Sequence, residues 1–129
     1  MKLIAFTDPA DFTLYNILNP MKDLDSSLIL TFSKPEDFKN AVRKNVTPKP
    51  VIIFSASDIS SLSHLIDIKE YLADTILLLI VPNEEYYQTI QNNGDLYPRY
   101  VFYREDDWQL LVAILDKIKS RQKEFKSVL

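Results

Sequence analysis

No cysteine, one glycine and one histidine occur among the 129 residues of this chain. The first absence excludes disulfides, thiolate chemistry and cysteine-ligated metal centres. With Gly94 as its only glycine, the chain has neither a P-loop nor a dinucleotide fingerprint, which need several glycines for close phosphate approach. His64 stands alone, so no histidine-rich metal site and no relay between two imidazoles can form. Long apolar runs are also missing. The strongest, Ile76 to Val81, falls far short of the roughly 20 residues of a membrane span. Leu3-Ile4-Ala5-Phe6 ends at Thr7-Asp8-Pro9, too early for the apolar part of a secretion signal. The expected location is cytoplasmic, with no membrane contact.

Excess positive charge is lacking too. Fifteen basic and 18 acidic side chains give a net charge of -3, without the basic stripe that nucleic-acid binding requires. The charges are unevenly spread. Residues 67–107 hold nine acids against three bases, and residues 116–129 hold two against five. Solvated helix faces explain this pattern, and an acidic docking surface is the sharper reading.

What is present is a single globular domain: 47% hydrophobic and 26% charged residues suffice for one core. No linker divides the chain. Lys2–Thr7 is the first expected strand. Asp8, Pro9 and Asp11 then suit a helix start, with Leu14, Ile17, Leu18 and Met21 at helical spacing and an end near Asn19, before Pro20. Ser27–Phe32 is the second strand. Ser33 and Glu36 resemble a capping box, Pro35 fits the first turn, and Phe38, Ala41 and Val42 form the inner face of the second helix. Val51–Phe54, extending toward Ala56, is a third strand whose β-branched run predicts burial on both faces.

Ser57 or Asp58 is expected to cap a third helix with Leu62, Leu65 and Ile66 inward and Leu72 as a further candidate. Thr75–Val81, closed by Pro82, reads as a central parallel strand because it does not alternate with polar residues. Asn83 can cap the helix of Tyr86, Tyr87 and Ile90, and Gly94 sits where a left-handed terminator belongs. Arg99–Tyr103 is the fifth strand. In the last helix Leu111, Ile114, Leu115 and Ile118 make an apolar stripe. Glu105, Asp106 and Asp107 precede it, and Lys117, Lys119 and Arg121 load its far end.

Five strand-helix units predict a three-layer α/β sandwich with a five-stranded parallel sheet of order 2-1-3-4-5, helices on both faces. Residues 1–120 form the expected domain, with 121–129 a basic C-terminal tail or helix extension.

At this point the chain resembles a response-regulator receiver domain, a flavodoxin-like fold, over nearly its whole length. The opening strand Lys2-Leu3-Ile4-Ala5-Phe6 and the third strand Pro50-Val51-Ile52-Ile53-Phe54-Ser55-Ala56 carry the likeness. The resemblance implies an aspartate phosphorylated at the end of the third strand and magnesium held by acids after the first. It also implies a Ser or Thr ending the fourth strand and a lysine ending the fifth. This sequence departs at each point. The acidic pair is Thr7-Asp8, the acceptor falls at Ser55 or Ala56, the hydroxyl at Ile80 or Val81, and the lysine at Tyr103 or Arg104. Neither Ser55 nor Ala56 can form an acyl phosphate. Asp58 comes at least two residues late for an acceptor and reads better as a helix cap.

Two groups of candidate residues remain. A strand-end cleft is expected near Thr7, Asp8, Ser55, Ser57, Asp58, Pro82 and Arg104, with Asp8 and Arg104 either a stabilising pair or part of a ligand site. A triad from Ser55 or Ser57, His64 and an aspartate lacks the glycine-flanked nucleophile turn. Tyr86, Tyr87, Tyr97, Tyr100 and Tyr103 suit either helix-strand packing or an interface core. The expected role is a non-catalytic receiver-like domain in protein interaction or signal transduction, not phosphorylated by the receiver mechanism. Its expected partner is another protein or a second copy in a weak homodimer. The alternative is a small enzyme or ligand-binding protein using the cleft. No metal and no cofactor is expected.

Overall fold

The computed structural model describes residues 2–7, 13–19, 28–45, 50–56, 59–93, 96–103 and 108–128. Strands β1 (Lys2–Phe6), β2 (Leu28–Phe32), β3 (Val51–Ser55), β4 (Ile76–Val81) and β5 (Tyr100–Tyr103) form one sheet in the order β2-β1-β3-β4-β5. Every pairing is parallel. The expected architecture is the observed one, and each strand lies within a residue or two of its expected limits.

The order follows from composition. β3 and β4 are the most apolar strands, and every residue of β3 is buried. Both faces of such strands must be covered by helices, which places them inside the sheet. Alternation then sorts the side chains. Ile4, Phe6, Ile52, Phe54, Leu77, Leu79 and Val81 face one way, against α2 (Pro35–Lys44), α3 (Leu62–Ile66), α4 (Lys69–Leu72) and α5 (Glu84–Asn93). Leu3, Ala5, Val51, Ile53, Leu78 and Ile80 face the other way, against α1 (Thr13–Leu18) and α6 (Trp108–Val128). Each apolar side chain fully buried here stabilises the fold by about 1.5–3 kcal/mol.

Two local expectations are corrected. The N-cap of α2 is Lys34, which makes no side-chain cap hydrogen bond. The Ser33–Glu36 box is replaced by a first turn opened by Pro35, whose missing N–H needs no partner. Glu36 instead accepts from Lys39 on its own helix, at 2.8 Å. The single third helix is in fact three pieces: a 3-10 turn at Ile59–Ser61, then α3 and α4. At the break Ile68 takes φ -117° and ψ 18° and is fully buried, whereas Ile66 is only half-buried. Stepping inward from Leu62 to Leu65 to Ile68 advances three residues each time, less than an α-helical turn of 3.6, and the break absorbs the mismatch.

The Asn83 cap does form, its Oδ1 accepting from the Tyr86 backbone N–H at 3.0 Å. Expectations resting on Asp8, Pro9, Asp11, Pro20, Met21, Ser57, Asp58, Gly94 and Arg104–Asp107 lie outside the described residues.

Candidate functional site

The carboxyl ends of the strands are closed by aromatic packing on one face. Phe6 ends β1 and is paired in register with Phe54 of β3. Their rings stack with centroids 4.8 Å apart and 17° between planes. Phe38 of α2 tilts against both, at 5.8 Å and 5.6 Å. This cluster adds geometric preference to apolar burial.

Thr7 and Ser55 follow those two phenylalanines, and alternation turns them toward the α1–α6 side. Both are buried. The Thr7 backbone N–H donates to the Phe32 carbonyl at 2.7 Å, and its hydroxyl donates to the same oxygen at 3.3 Å. Thr7 thereby ties β1 to the edge strand β2. Ser55 pairs in register with Ile80, and the Ala56 N–H donates to the Ile80 carbonyl at 2.8 Å. At the end of β3, Ser55 is thus 4% exposed and Ala56 after it is fully buried. Pro82 is half-buried after β4. Of the cleft set, Asp8, Ser57, Asp58 and Arg104 lie outside the described residues.

His64 sits on α3, whose Leu62 and Leu65 pack on the α2–α5 side. Ser55 faces the other side, so the sheet separates them and a Ser55–His64 relay has no geometry. The imidazole is half-buried, with Nδ1 enclosed and without a hydrogen-bond partner among the described residues. Among the described residues, no group of three or more His, Cys, Asp or Glu is arranged to hold a metal ion. None of their helices is long and apolar enough to cross a membrane.

The five tyrosines do not form one patch. Tyr86 is buried, its hydroxyl 3.1 Å from Ser61 Oγ, which fastens α5 to the 3-10 turn. Tyr87 and Tyr103 lean on the α2–α5 cluster, and Tyr100 leans on the α1–α6 cluster. Tyr97, in the connection before β5, is 85% exposed. Tyr87, Tyr100 and Tyr103 remain half-buried at and beside β5, the edge of the sheet.

One polar cluster was not foreseen from sequence. Lys39 is buried, and its ammonium bridges Glu36 at 2.8 Å and Asp67 at 3.2 Å. The hydrogen bond to Glu36 raises Lys39 above its ordinary 10.5, against the opposing effect of burial. The same bond, followed by the charge of Lys39, lowers Glu36 below its ordinary 4.5. The available signal was the spacing of Glu36 and Lys39, one helical turn apart beside the apolar row of α2.

No protein-family model matches the chain, and comparison with curated proteins gives no match. The architecture is a flavodoxin-like, receiver-like α/β fold, with the strand order of receiver domains.

Proposed function

We propose that this chain is a non-catalytic interaction or regulatory domain on a receiver-like scaffold, binding a protein partner or a second copy of itself without receiver-type phosphorylation. The supporting observation is the contrast between two regions. At the end of β3, Ser55 and Ala56 are buried and offer no carboxylate, so neither can form an acyl phosphate. At the β5 edge, Tyr87, Tyr100 and Tyr103 keep part of their surface open, with Tyr97 almost fully exposed nearby in sequence. Tyrosine combines apolar area with a polar tip and suits the core of a protein interface.

Sedimentation velocity over a concentration series tests this reading on the wild type, Tyr87→Ala and Tyr100→Ala. Truncating an interface anchor costs about 2 kcal/mol or more, which weakens association by roughly 30-fold. The expected result is a weak homodimer that at least one substitution disrupts while the unfolding midpoint stays near that of the wild type. A strictly monomeric wild type at high micromolar concentration removes the homodimer.

A further inference from the structure

We infer that the domain stacks head to tail on further copies of itself, the acidic starts of α2 and α5 in one copy meeting basic side chains at the opposite end of the next. The inference rests on the reading of the chain as a self-associating domain, and it names a contact made by the two ends of the sheet. All five strands run parallel, so each helix between them runs back the other way and starts at the carboxyl ends of the strands. At that end Asp37 stands in the first turn of α2, and Glu84 and Glu85 in the first turn of α5. At the opposite end Arg43 and Lys44 close α2. Arg99 lies there too, just before β5, its backbone N–H donating to the Leu77 carbonyl at 2.7 Å. All six of these side chains are exposed. Lys34 at the first end and Asp74 at the second offset part of the charge, and Glu36 is already engaged by Lys39.

The two ends match in position as well as in sign. α2 lies over β1 and β2, and α5 lies over β4, two to three strand spacings or about 10–15 Å apart across the sheet. Arg99 comes two residues before Val101, which packs on the α5 side, so alternation places it on that side too. Each end of the domain therefore carries two charged spots at one spacing, on the same side of the sheet and of opposite sign. A copy translated along the strands sets Asp37 over Arg43 and Lys44, and Glu84 and Glu85 over Arg99. Helix dipoles account for the acids and for Arg43 and Lys44, but not for Arg99, which belongs to no helix. The partner is a second copy because the same chain carries the complementary end at the same spacing. Such a contact leaves one open end of each sign, so the assembly grows past a dimer.

Sedimentation velocity at about 20 mM and about 300 mM salt tests the contact, because attraction between exposed charges fades as the Debye length shrinks. At low salt the wild type should pass the mass of a dimer as its concentration rises, and at high salt it should not. Asp37→Asn with Glu84→Gln neutralises one end, and Lys44→Gln with Arg99→Gln neutralises the other. Each double variant should weaken association about tenfold. An equimolar mixture of the two should recover association and stop at a dimer, since one intact end of each sign remains. The unfolding midpoint of each variant serves as the folding control. A mixture that associates no better than either variant alone would overturn the head-to-tail contact. So would a dimer indifferent to salt and to both double variants but broken by Tyr87→Ala, and that result leaves the proposed self-association standing. A wild type that stays monomeric at both salt concentrations, up to high micromolar protein, would overturn both.

Discussion

Lys39 of α2 donates a 3.2 Å hydrogen bond to Oδ2 of Asp67, which lies between α3 and α4, and so joins two helical segments through one buried lysine. The carboxylates it meets are largely exposed, so the protein buries the stem and leaves the acids in water. Lys39→Ala should cost about 1–2 kcal/mol through lost packing and lost pairing. Lys39→Met, which keeps the stem, should cost distinctly less, as read from urea midpoints at neutral pH.

The same pair sets a pH dependence at both extremes. Glu36 is lowered in the folded state, so its contribution is complete above 4.5 and is lost as pH falls through the folded value. Lys39 is raised, so its contribution is complete below 10.5 and is lost as pH rises through the folded value. Urea midpoints from about pH 3 to about pH 11 should show a neutral plateau with losses on both sides. In Lys39→Met the part of the acid loss due to Glu36 should vanish.

Phe54→Ala should be among the most damaging single substitutions. Phe54 is fully buried and touches both Phe6 and Phe38. Its truncation opens a cavity beneath the strand ends and should cost about 3–5 kcal/mol. Chemical denaturation checks this, and Phe54→Leu should recover a substantial part of the loss.

Asn83→Ala removes the side-chain acceptor from the Tyr86 N–H at the start of α5. The expected cost is about 1 kcal/mol. Tyr86→Phe should cost about as much, because it breaks the bond between the Tyr86 hydroxyl and Ser61 Oγ. Together the two changes should fall short of additive, since both act on the first turn of one helix.

Incubation with a small phosphodonor and magnesium should leave the intact mass unchanged. The end of β3 holds Ser55 and Ala56, both buried and neither a carboxylate. A magnesium-dependent gain of one phosphoryl group on an aspartate would overturn the non-phosphorylated reading.

The sheet order was legible because it depends on local composition. Val51 to Phe54 and Ile76 to Val81 are too apolar to stand at an edge, and parallel crossovers leave few alternatives. The Asn83 cap was legible for the same reason, as a cap and its target lie three residues apart. The break at Ile68 was not, because Leu62, Leu65, Ile66 and Leu72 satisfy an unbroken helix equally well. Burial of Lys39 was illegible for a different reason: Asp67 reaches it from 28 residues away, and nothing within α2 announces that meeting. The scatter of the tyrosines follows from strand alternation, which sends Tyr100 and Tyr103 to opposite faces of β5.

Among the described helices, α1 and α6 alone cover one face of the sheet, and this has a consequence for folding. α1 is six residues long, so α6 supplies Leu111 and Leu115 to close over that face. Until α6 docks, Val51, Ile53, Leu78 and Ile80 lack that part of their cover. A chain whose α6 is undocked therefore exposes an apolar sheet face, the kind of surface that makes partly folded species prone to aggregate.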